Sequence, residues 1–420
     1  MARVESICYT PNHAEVTSTS IEWSGRKKST PTLGVPMIFW ADGSPWREAN
    51  IWLCQQAFNQ ALDIKTVHSK ASSLLTYARW LEDTEFSWFS FPERRDERCL
   101  DRYRGALILM RNEGTVAPST ASAKMRVVVQ FYNWLLTSKL ITPERDLWTT
   151  RSVGVSYFNR QGFERILQVV TTDLAIPNRQ LRKALPAEGV WPVSVEDREK
   201  ILDCAEVNCP LEIYYILLIG FYTGMRIQTI TDLKTQTILQ ATPHPLNKNI
   251  SIIRVGPGAS PAVSTKFSIT GIIEIPSELL ERLKNYVFSA SRIRRANKAS
   301  GKNQDLVFLT KHGNPYARRG LDTSTAINVA MYNLRRIGQR QGIVALSDFS
   351  FHQTRATFAT ELAVFALSVN PAGAIDMVRQ ALLQRDESSA LHYIKFAQNA
   401  SISSAAANKF TRRFLDGPNE

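Results

Sequence analysis

Near its C-terminal end the sequence reads Phe351-His352-Gln353-Thr354-Arg355, and 38 positions beyond that arginine comes Tyr393, within Leu391-His392-Tyr393-Ile394-Lys395. Far upstream, Thr223-Gly224-Met225-Arg226 closes an apolar run, and Lys266 lies between the two arginines. Residues of these types can break a phosphodiester by side-chain attack. That reaction needs a nucleophile for phosphorus, a base for its proton, cations for the non-bridging oxygens, and an acid for the departing 5′-oxygen. Arginine suits the cationic role because its planar fork binds phosphate oxygens bidentately and stays protonated.

Each residue also has a plainer reading. Arg226, following a buried helix, fits a cation at a helix C-terminus, worth ~0.3–1 kcal/mol. Tyr393, flanked by Leu391, Ile394 and Phe396, fits an aromatic core residue. Lys266 fits a surface charge on a hairpin, and His-x-x-Arg on a helix is a weak pattern by itself. Order and flanking sequence argue for the chemical reading. Taken together, these segments resemble the tyrosine recombinase (phage integrase) family.

In that family one arginine follows a helix in a Thr-Gly-Leu/Met-Arg turn, the place of Arg226 here. A second arginine and a histidine come from a His-x-x-Arg helix, matched by His352 and Arg355 and continued by Ala359-Thr360-Glu361-Leu362. The family's lysine sits on a β-hairpin strand in a Thr-Lys context, matched by Thr265-Lys266 with Ile275-Pro276 beyond. The nucleophile follows a Leu-Leu-Gly-His element, matched in outline by Ala381-Leu382-Leu383 and Tyr393.

Three features depart from the family pattern. The slot about nine residues before the tyrosine, His or Trp in the family, holds Gln384 counted back from Tyr393, or Arg385 counted from the leucines. Either side chain donates hydrogen bonds to a phosphate oxygen, but neither replaces the imidazole. Thr229 stands where an acid often follows the first arginine, with Asp232 after it. The spacings are long: 40 residues from Arg226 to Lys266 and 129 to Arg355. The surplus is assigned to loop-like insertions at Gln236–Asn249 and at the basic stretch Arg292–Asp305.

These residues need a scaffold, and 420 residues are too many for one ordinary domain. With 44% hydrophobic and 21% charged residues the chain reads as folded and soluble. A formal charge of +13 points to a polyanionic partner, nucleic acid first among them. The five scattered cysteines show no zinc-ligand spacing and read as free thiols in a reducing compartment. There is no Walker A loop, GxGxxG, HExxH or two-metal acid pair. His312 and His392 read as structural or DNA-facing. No basic-then-apolar leader opens the sequence, and the apolar run Ile213–Tyr222 is far short of the ~20 residues that span a bilayer. The expected location is the cytoplasm, on DNA, of a bacterial cell.

Residues 1–48 hold β-branched and turn-rich pieces with the basic Arg26-Lys27-Lys28, an N-terminal arm or small extension. From 49 to 145 the apolar residues fall at helical spacing: Leu53, Ala57, Ala61 and Ile64; then Leu74, Tyr77, Ala78 and Leu81; then Met125, Val128, Val129, Phe131, Tyr132 and Leu135. Pro45-Trp46 marks the start of the first long helix. Lys65, Lys70, Arg79, Lys124 and Arg126 punctuate the polar faces as candidate DNA-binding residues, and also fit an ordinary solvated surface. Residues 146–187 read as a linker carrying one or two helices, with the basic run Asn178–Lys183. From 188 to 420 the expected order is a helix capped by Ser194, a buried helix at Leu211–Phe221, and a hairpin of Ile250–Val255 with Val263–Ile275. Helices at Leu279–Val287, Ala326–Ile337, His352–Leu367 and Ile375–Leu383 follow. The tail Ala397–Phe414 carries an apolar stripe that fits packing on a neighbour or on its own domain.

The expected fold is mainly α (α+β): an N-terminal helical, SAM-like core DNA-binding bundle, then a mostly helical catalytic domain with a small antiparallel β-sheet. The resemblance implies a site-specific recombinase or integrase of a mobile element. It implies that Tyr393 forms a 3′-phosphotyrosyl bond, Arg226 and Arg355 stabilise the transition state, His352 assists deprotonation and Lys266 protonates the leaving oxygen. Double-stranded DNA, a homotetramer on synapsed duplexes and accessory DNA-bending proteins are the implied partners. No cofactor, metal or membrane is implied. Type IB topoisomerase-like relaxation and a catalytically impaired DNA-binding relative are the alternatives. The Thr-Gly-Met-Arg context speaks against the first and the intact Tyr393, Arg226, His352 and Arg355 against the second.

Overall fold

A computed structural model describes residues 1–10, 12–17, 19–25, 32–59, 62–158, 164–178, 190–317, 325–387 and 389–399. The Arg26-Lys27-Lys28 run, most of the Asn178–Lys183 run and the tail beyond 399 lie outside them. The chain divides near residue 181 into two compact units. It is mainly helical, with small antiparallel sheets, as the apolar periodicity predicts.

In the first unit, β1 (Arg3–Tyr9) pairs antiparallel with β4 (Thr32–Phe39), and β2 (Asn12–Val16) with β3 (Ile21–Gly25). Four helices follow: α1 (Arg47–Phe58), α2 (Ile64–Asp83), α3 (Cys99–Asn112) and α4 (Pro118–Thr137). Trp46 stands at the N-cap of α1, where Pro45-Trp46 predicted the start. Leu74, Tyr77, Ala78 and Leu81 of α2 and Met125, Val128, Phe131, Tyr132 and Leu135 of α4 form one buried cluster. Buried Asn50 joins β4 to α1, accepting from Ile38 N at 2.7 Å and donating to Ile38 O at 2.9 Å. Tyr77 and Tyr132 share a hydroxyl hydrogen bond of 2.8 Å, and burial drives both phenols well above their ordinary pKa.

Two readings change here. The Leu53–Ile64 repeat is not one helix: α1 stops at Phe58, and Ile64 opens α2, whose N-cap Asp63 accepts from Lys65 N at 2.9 Å. Ala61 lies outside the described residues. Among the described residues of 146–187 there is no helix. The strands β5 (Thr150–Phe158) and β6 (Glu164–Thr172) pair one to one from Thr150↔Thr172 to Phe158↔Glu164. The β-branched residues Val153, Val155, Val169, Val170, Thr171 and Thr172 favour that pleated form over a helix.

The second unit opens with α5 (Val195–Asn208), capped by Ser194 Oγ accepting from Asp197 N at 3.1 Å, and with α6 (Leu211–Thr223). Two short helices, α7 (Ile227–Thr231) and α8 (Thr235–Leu239), lead to a sheet of order β7-β8-β9. Its strands are β7 (Thr242–His244), β8 (Asn247–Val255) and β9 (Gly271–Pro276). Helices α9 (Ser277–Val287), α10 (Ala290–Lys298), α11 (Thr325–Arg340), α12 (His352–Val369) and α13 (Ala374–Ala381) follow. A last helix, α14, covers 389–399.

The hairpin is shorter than predicted. Its second strand begins at Gly271, and Val263 makes only an isolated bridge with Gly256, so 256–270 is a loop. Both stretches read as insertion loops are ordered. The first forms α8, β7 and the start of β8. The second forms α10, where Arg292 donates to Gln304 O (2.5 Å) and Leu306 O (2.8 Å). Arg295 of the same helix pairs with buried Glu212 at 2.7 Å. These arginines serve the fold.

Helix α6 is mostly buried, and α12 presses closely on it. A Cβ added at Gly220 would stand 2.5 Å from Thr354 Oγ1 and 2.7 Å from Phe351 Cζ. Gly220→Ala is therefore expected to overpack the α6–α12 contact and destabilise the unit by ~1–3 kcal/mol, read as a lower urea midpoint with an unchanged slope.

Candidate active site

Arg226 is placed by the turn that ends α6. Thr223 Oγ1 donates back to Ile219 O at 2.6 Å, and Gly224 then turns left-handed at φ 62. A Cβ on Gly224 would also lie 2.5 Å from Phe358 Cδ1 and 2.8 Å from Leu382 Cδ2. Glycine is required there for both reasons. Arg226, half-buried, is then the N-cap residue of α7. A cation is disfavoured at that end of a helix dipole, so stabilising α7 does not explain its presence.

Arg355 lies inside the second unit at 2% exposure. Its Nη1 donates to Gly224 O at 2.6 Å and its Nη2 to Leu382 O at 2.9 Å. One guanidinium thus holds the Thr-Gly-Met-Arg turn against the end of α13. His352, half-buried, opens α12 one turn before Arg355, so both lie on the same side of that helix.

Tyr393 is fully buried on α14. Its cluster includes Ala356, Ala359 and Ala363 of α12, Val378 of α13, Leu382 and Ala390. The alanines recur at i, i+3 and i+7, which makes a shallow face on α12 that admits an aromatic ring. Leu382 belongs to that cluster and also gives its carbonyl to Arg355. The structure therefore brings Arg226, His352, Arg355 and Tyr393 to one region, around α12 and its contacts.

Lys266 is arranged differently. It is exposed on the β8–β9 loop, not on a strand, and its Nζ lies 5.1 Å from the Phe267 ring centroid. The reason is local backbone: Phe267 and Ser268 are left-handed at φ 63 and 54, which no strand tolerates. Asp232, one residue past α7, was noted in the sequence only as a late acid. Its Oδ1 accepts from Lys234 Nζ at 2.9 Å and its Oδ2 from Ser264 N at 2.7 Å.

Gln384 and Arg385 part company. Gln384 is 7% exposed, whereas Arg385 is at the surface. Leu383 between α13 and Gln384 is left-handed at φ 47, the conformation in which glycine is at ease. Gly271 of β9 makes room for it: a Cβ there would stand 2.4 Å from Leu383 Cδ2. Neither half of this Leu–Gly exchange is visible in the local pattern. His312 and His392 are both exposed. Among the described residues, no group of three or more His, Cys, Asp or Glu side chains is placed to hold a metal ion, and no helix is long and apolar enough to cross a membrane.

In the first unit the basic residues do not share one face. On α2, Lys65 and Arg79 lie within about 40° of each other and Lys70 is about 140° away, at 100° per residue. Lys70 Nζ donates to Gln56 Oε1 at 2.6 Å and sits 5.1 Å from the Trp52 ring centroid. Arg79 Nε donates to Ala2 O at 2.9 Å. Burial lowers the pKa of Lys70 and of Lys124. Arg126 is exposed on α4.

The model of the phage integrase family matches residues 193–370, from the start of α5 to the end of α12. The chain carries a phage integrase domain. That match holds Arg226, Lys266, His352 and Arg355, and it ends before Gln384 and Tyr393. The match covers less than half of the chain.

Solved structures share the fold. The structure of the Tn1549 transposon integrase in complex with circular intermediate DNA matches with TM-score 0.51 at 14% identity, over 84% of this chain and 98% of that one. The same integrase with transposon right end DNA gives TM-score 0.51 at 13% identity, over 86% and 99%. A lambda integrase tetramer bound to a Holliday junction gives TM-score 0.46 at 12% identity, over 83% and 75%. At these identities the likeness is one of fold. No curated protein matches the sequence.

Proposed function

We propose that this integrase domain acts through Tyr393, joining and releasing DNA during integration or excision of a mobile element. The supporting observation is the Arg355 guanidinium, which joins the Gly224 turn beside Arg226 to Leu382 in the Tyr393 cluster. Tyr393 Oη attacks the scissile phosphorus while His352 assists removal of its proton. Arg226 and Arg355 hold the non-bridging oxygens as negative charge grows, and Lys266 gives a proton to the departing 5′-oxygen. The P–O5′ bond breaks as the P–Oη bond forms. Bond energy stays in the 3′-phosphotyrosyl link, and attack by a partner strand's 5′-hydroxyl reverses the step. For that attack Tyr393 has to leave the alanine-lined pocket that buries it here.

Gln384 is the better occupant of the slot that the family fills with His or Trp. Leu383 takes the left-handed place of the family's glycine, and Gln384 follows it into the interior, with Arg385 outside. Its amide donates a hydrogen bond to a phosphate oxygen but carries no proton for transfer. Double-stranded DNA is the substrate, and Lys65, Lys70, Arg79, Lys124 and Arg126 are its proposed contacts in the first unit. The working assembly is a homotetramer on two synapsed duplexes in the cytoplasm, with accessory DNA-bending proteins as further partners.

The test is a nicked suicide duplex whose recombination site has been selected by binding from a random pool. A covalent protein–DNA adduct should accumulate at the 3′-phosphate, at the same rate in EDTA as in magnesium. A monomer that relaxes random supercoiled plasmid and forms no site-dependent adduct would replace the recombinase reading with a topoisomerase.

A further inference from the structure

Lys266 needs something to hold it. A general acid works only within hydrogen-bond reach of the atom it protonates. Lys266 has a flexible four-carbon stem and stands on an exposed loop whose next residues, Phe267 and Ser268, are left-handed. Phe267 is 63% exposed, so side-chain packing does not fix that turn. Backbone in such a conformation persists only where surrounding contacts determine it. The backbone bond from Ser268 N to Thr265 O at 3.2 Å closes the turn, and two side-chain contacts hold it. Thr265 Oγ1 donates to Ile269 O at 2.6 Å across the turn, and Ser264 N donates to Asp232 Oδ2 at 2.7 Å just ahead of it.

Asp232 is a firm anchor. It is 7% exposed, and Lys234 Nζ, on a residue 6% exposed, holds its other oxygen at 2.9 Å. It also ends α7, the five-residue helix that Arg226 opens. The acidic side chain that pins the lysine loop is thus one short helix away from the first phosphate-binding arginine. We propose that Asp232 is a positioning residue for Lys266, setting the loop so that its ammonium reaches the leaving 5′-oxygen beside the phosphate that Arg226 holds. This rests on Lys266 being the acid of the cleavage step. Thr229, one turn after Arg226, has no carboxylate to do it.

The experiment uses the full chain in single-turnover cleavage of two suicide duplexes, one ordinary and one with sulfur in place of the bridging 5′-oxygen. A thiolate leaves with its electron pair without needing a proton, so cleavage of the P–S bond bypasses the acid. The variant is D232A/K234M, because an ammonium left alone in that buried site would disturb the fold by itself. D232N/K234M keeps an oxygen to accept from Ser264 N. Should the first not fold, Ser264→Pro removes the donated N–H and fixes the local φ, and leaves the buried Asp232–Lys234 pair in place.

On the oxygen duplex D232A/K234M is expected to cleave about 10²-fold more slowly, as for loss of a general acid, and D232N/K234M to recover most of that rate. On the sulfur duplex D232A/K234M and K266A should both match the wild type. A D232A/K234M rate equally low on sulfur, or unchanged on oxygen, overturns the positioning role. K266A that stays slow on sulfur overturns the acid assignment and the proposal with it. Wild type that forms no adduct on either duplex removes the Tyr393 reading itself.

Discussion

Tyr393→Phe should fold, bind the selected DNA site with wild-type affinity, and form no covalent adduct. The loss of strand cleavage should be on the order of 10⁶-fold or more, because the phenolic oxygen is the atom that bonds phosphorus and nothing replaces it. The ring stays, so the alanine-lined cluster keeps its packing and stability should change by no more than about 1.5 kcal/mol, the worth of an ordinary hydrogen bond. Three measurements separate the outcomes: a denaturation midpoint, a gel-shift affinity, and adduct on the suicide duplex. An adduct that survives in this variant shows that another residue attacks. A variant that loses binding together with cleavage shows that Tyr393 belongs to the core alone.

Arg355 should behave in the opposite manner, with stability and chemistry falling together. Its guanidinium makes two buried bonds to backbone carbonyls, and a hydrogen bond to a charged group is worth ~1.5–3 kcal/mol. Arg355→Ala is therefore expected to cost about 3–6 kcal/mol, a large part of the 5–15 kcal/mol that holds a typical domain together. Arg355→Lys is the informative variant. Its ammonium keeps the charge but lacks the planar fork that reaches Gly224 O and Leu382 O at once. We expect it to fold at a cost of about 2 kcal/mol and to cleave ~10²–10³-fold more slowly, the usual effect of losing one donor to a developing oxyanion. Urea melts and single-turnover cleavage measure the two losses independently. A lysine variant that is destabilised but cleaves at the wild-type rate confines Arg355 to a structural role.

The helices were legible where an apolar stripe recurs at 3.6 residues, as in α2, α4, α9 and α11, because one face of each must be buried. The strand pair β5–β6 was missed because the basic and proline-rich flanks of 146–187 outweighed its β-branched run. The β8–β9 boundary was set too early. Val263 is as β-prone as its neighbours, and the loop is shaped instead by the left-handed Phe267 and Ser268. Arg292 and Arg295 read as part of a basic, loop-like insertion because sequence does not show that backbone carbonyls at 304 and 306, and Glu212, turn toward them.

The residue types and their order determined which chemistry to propose: two arginines, a histidine, a lysine and a late tyrosine are the types that a phosphotyrosyl transfer calls for, and motif context singled out Arg226, His352 and Arg355. The tertiary structure decided how those parts meet. Arg355 reaches Gly224 across 131 positions and Leu382 across 27, and Asp232 reaches Ser264 across 32. Burial of Tyr393 against the α12 alanines, Gln384 inward with Arg385 outward, and Lys266 on a pinned loop were likewise settled by packing. Local periodicity reports which face of an element is buried. Which distant carbonyl or carboxylate lies against that face depends on how the elements pack, and that is where the positions of Lys266 and Tyr393 are fixed.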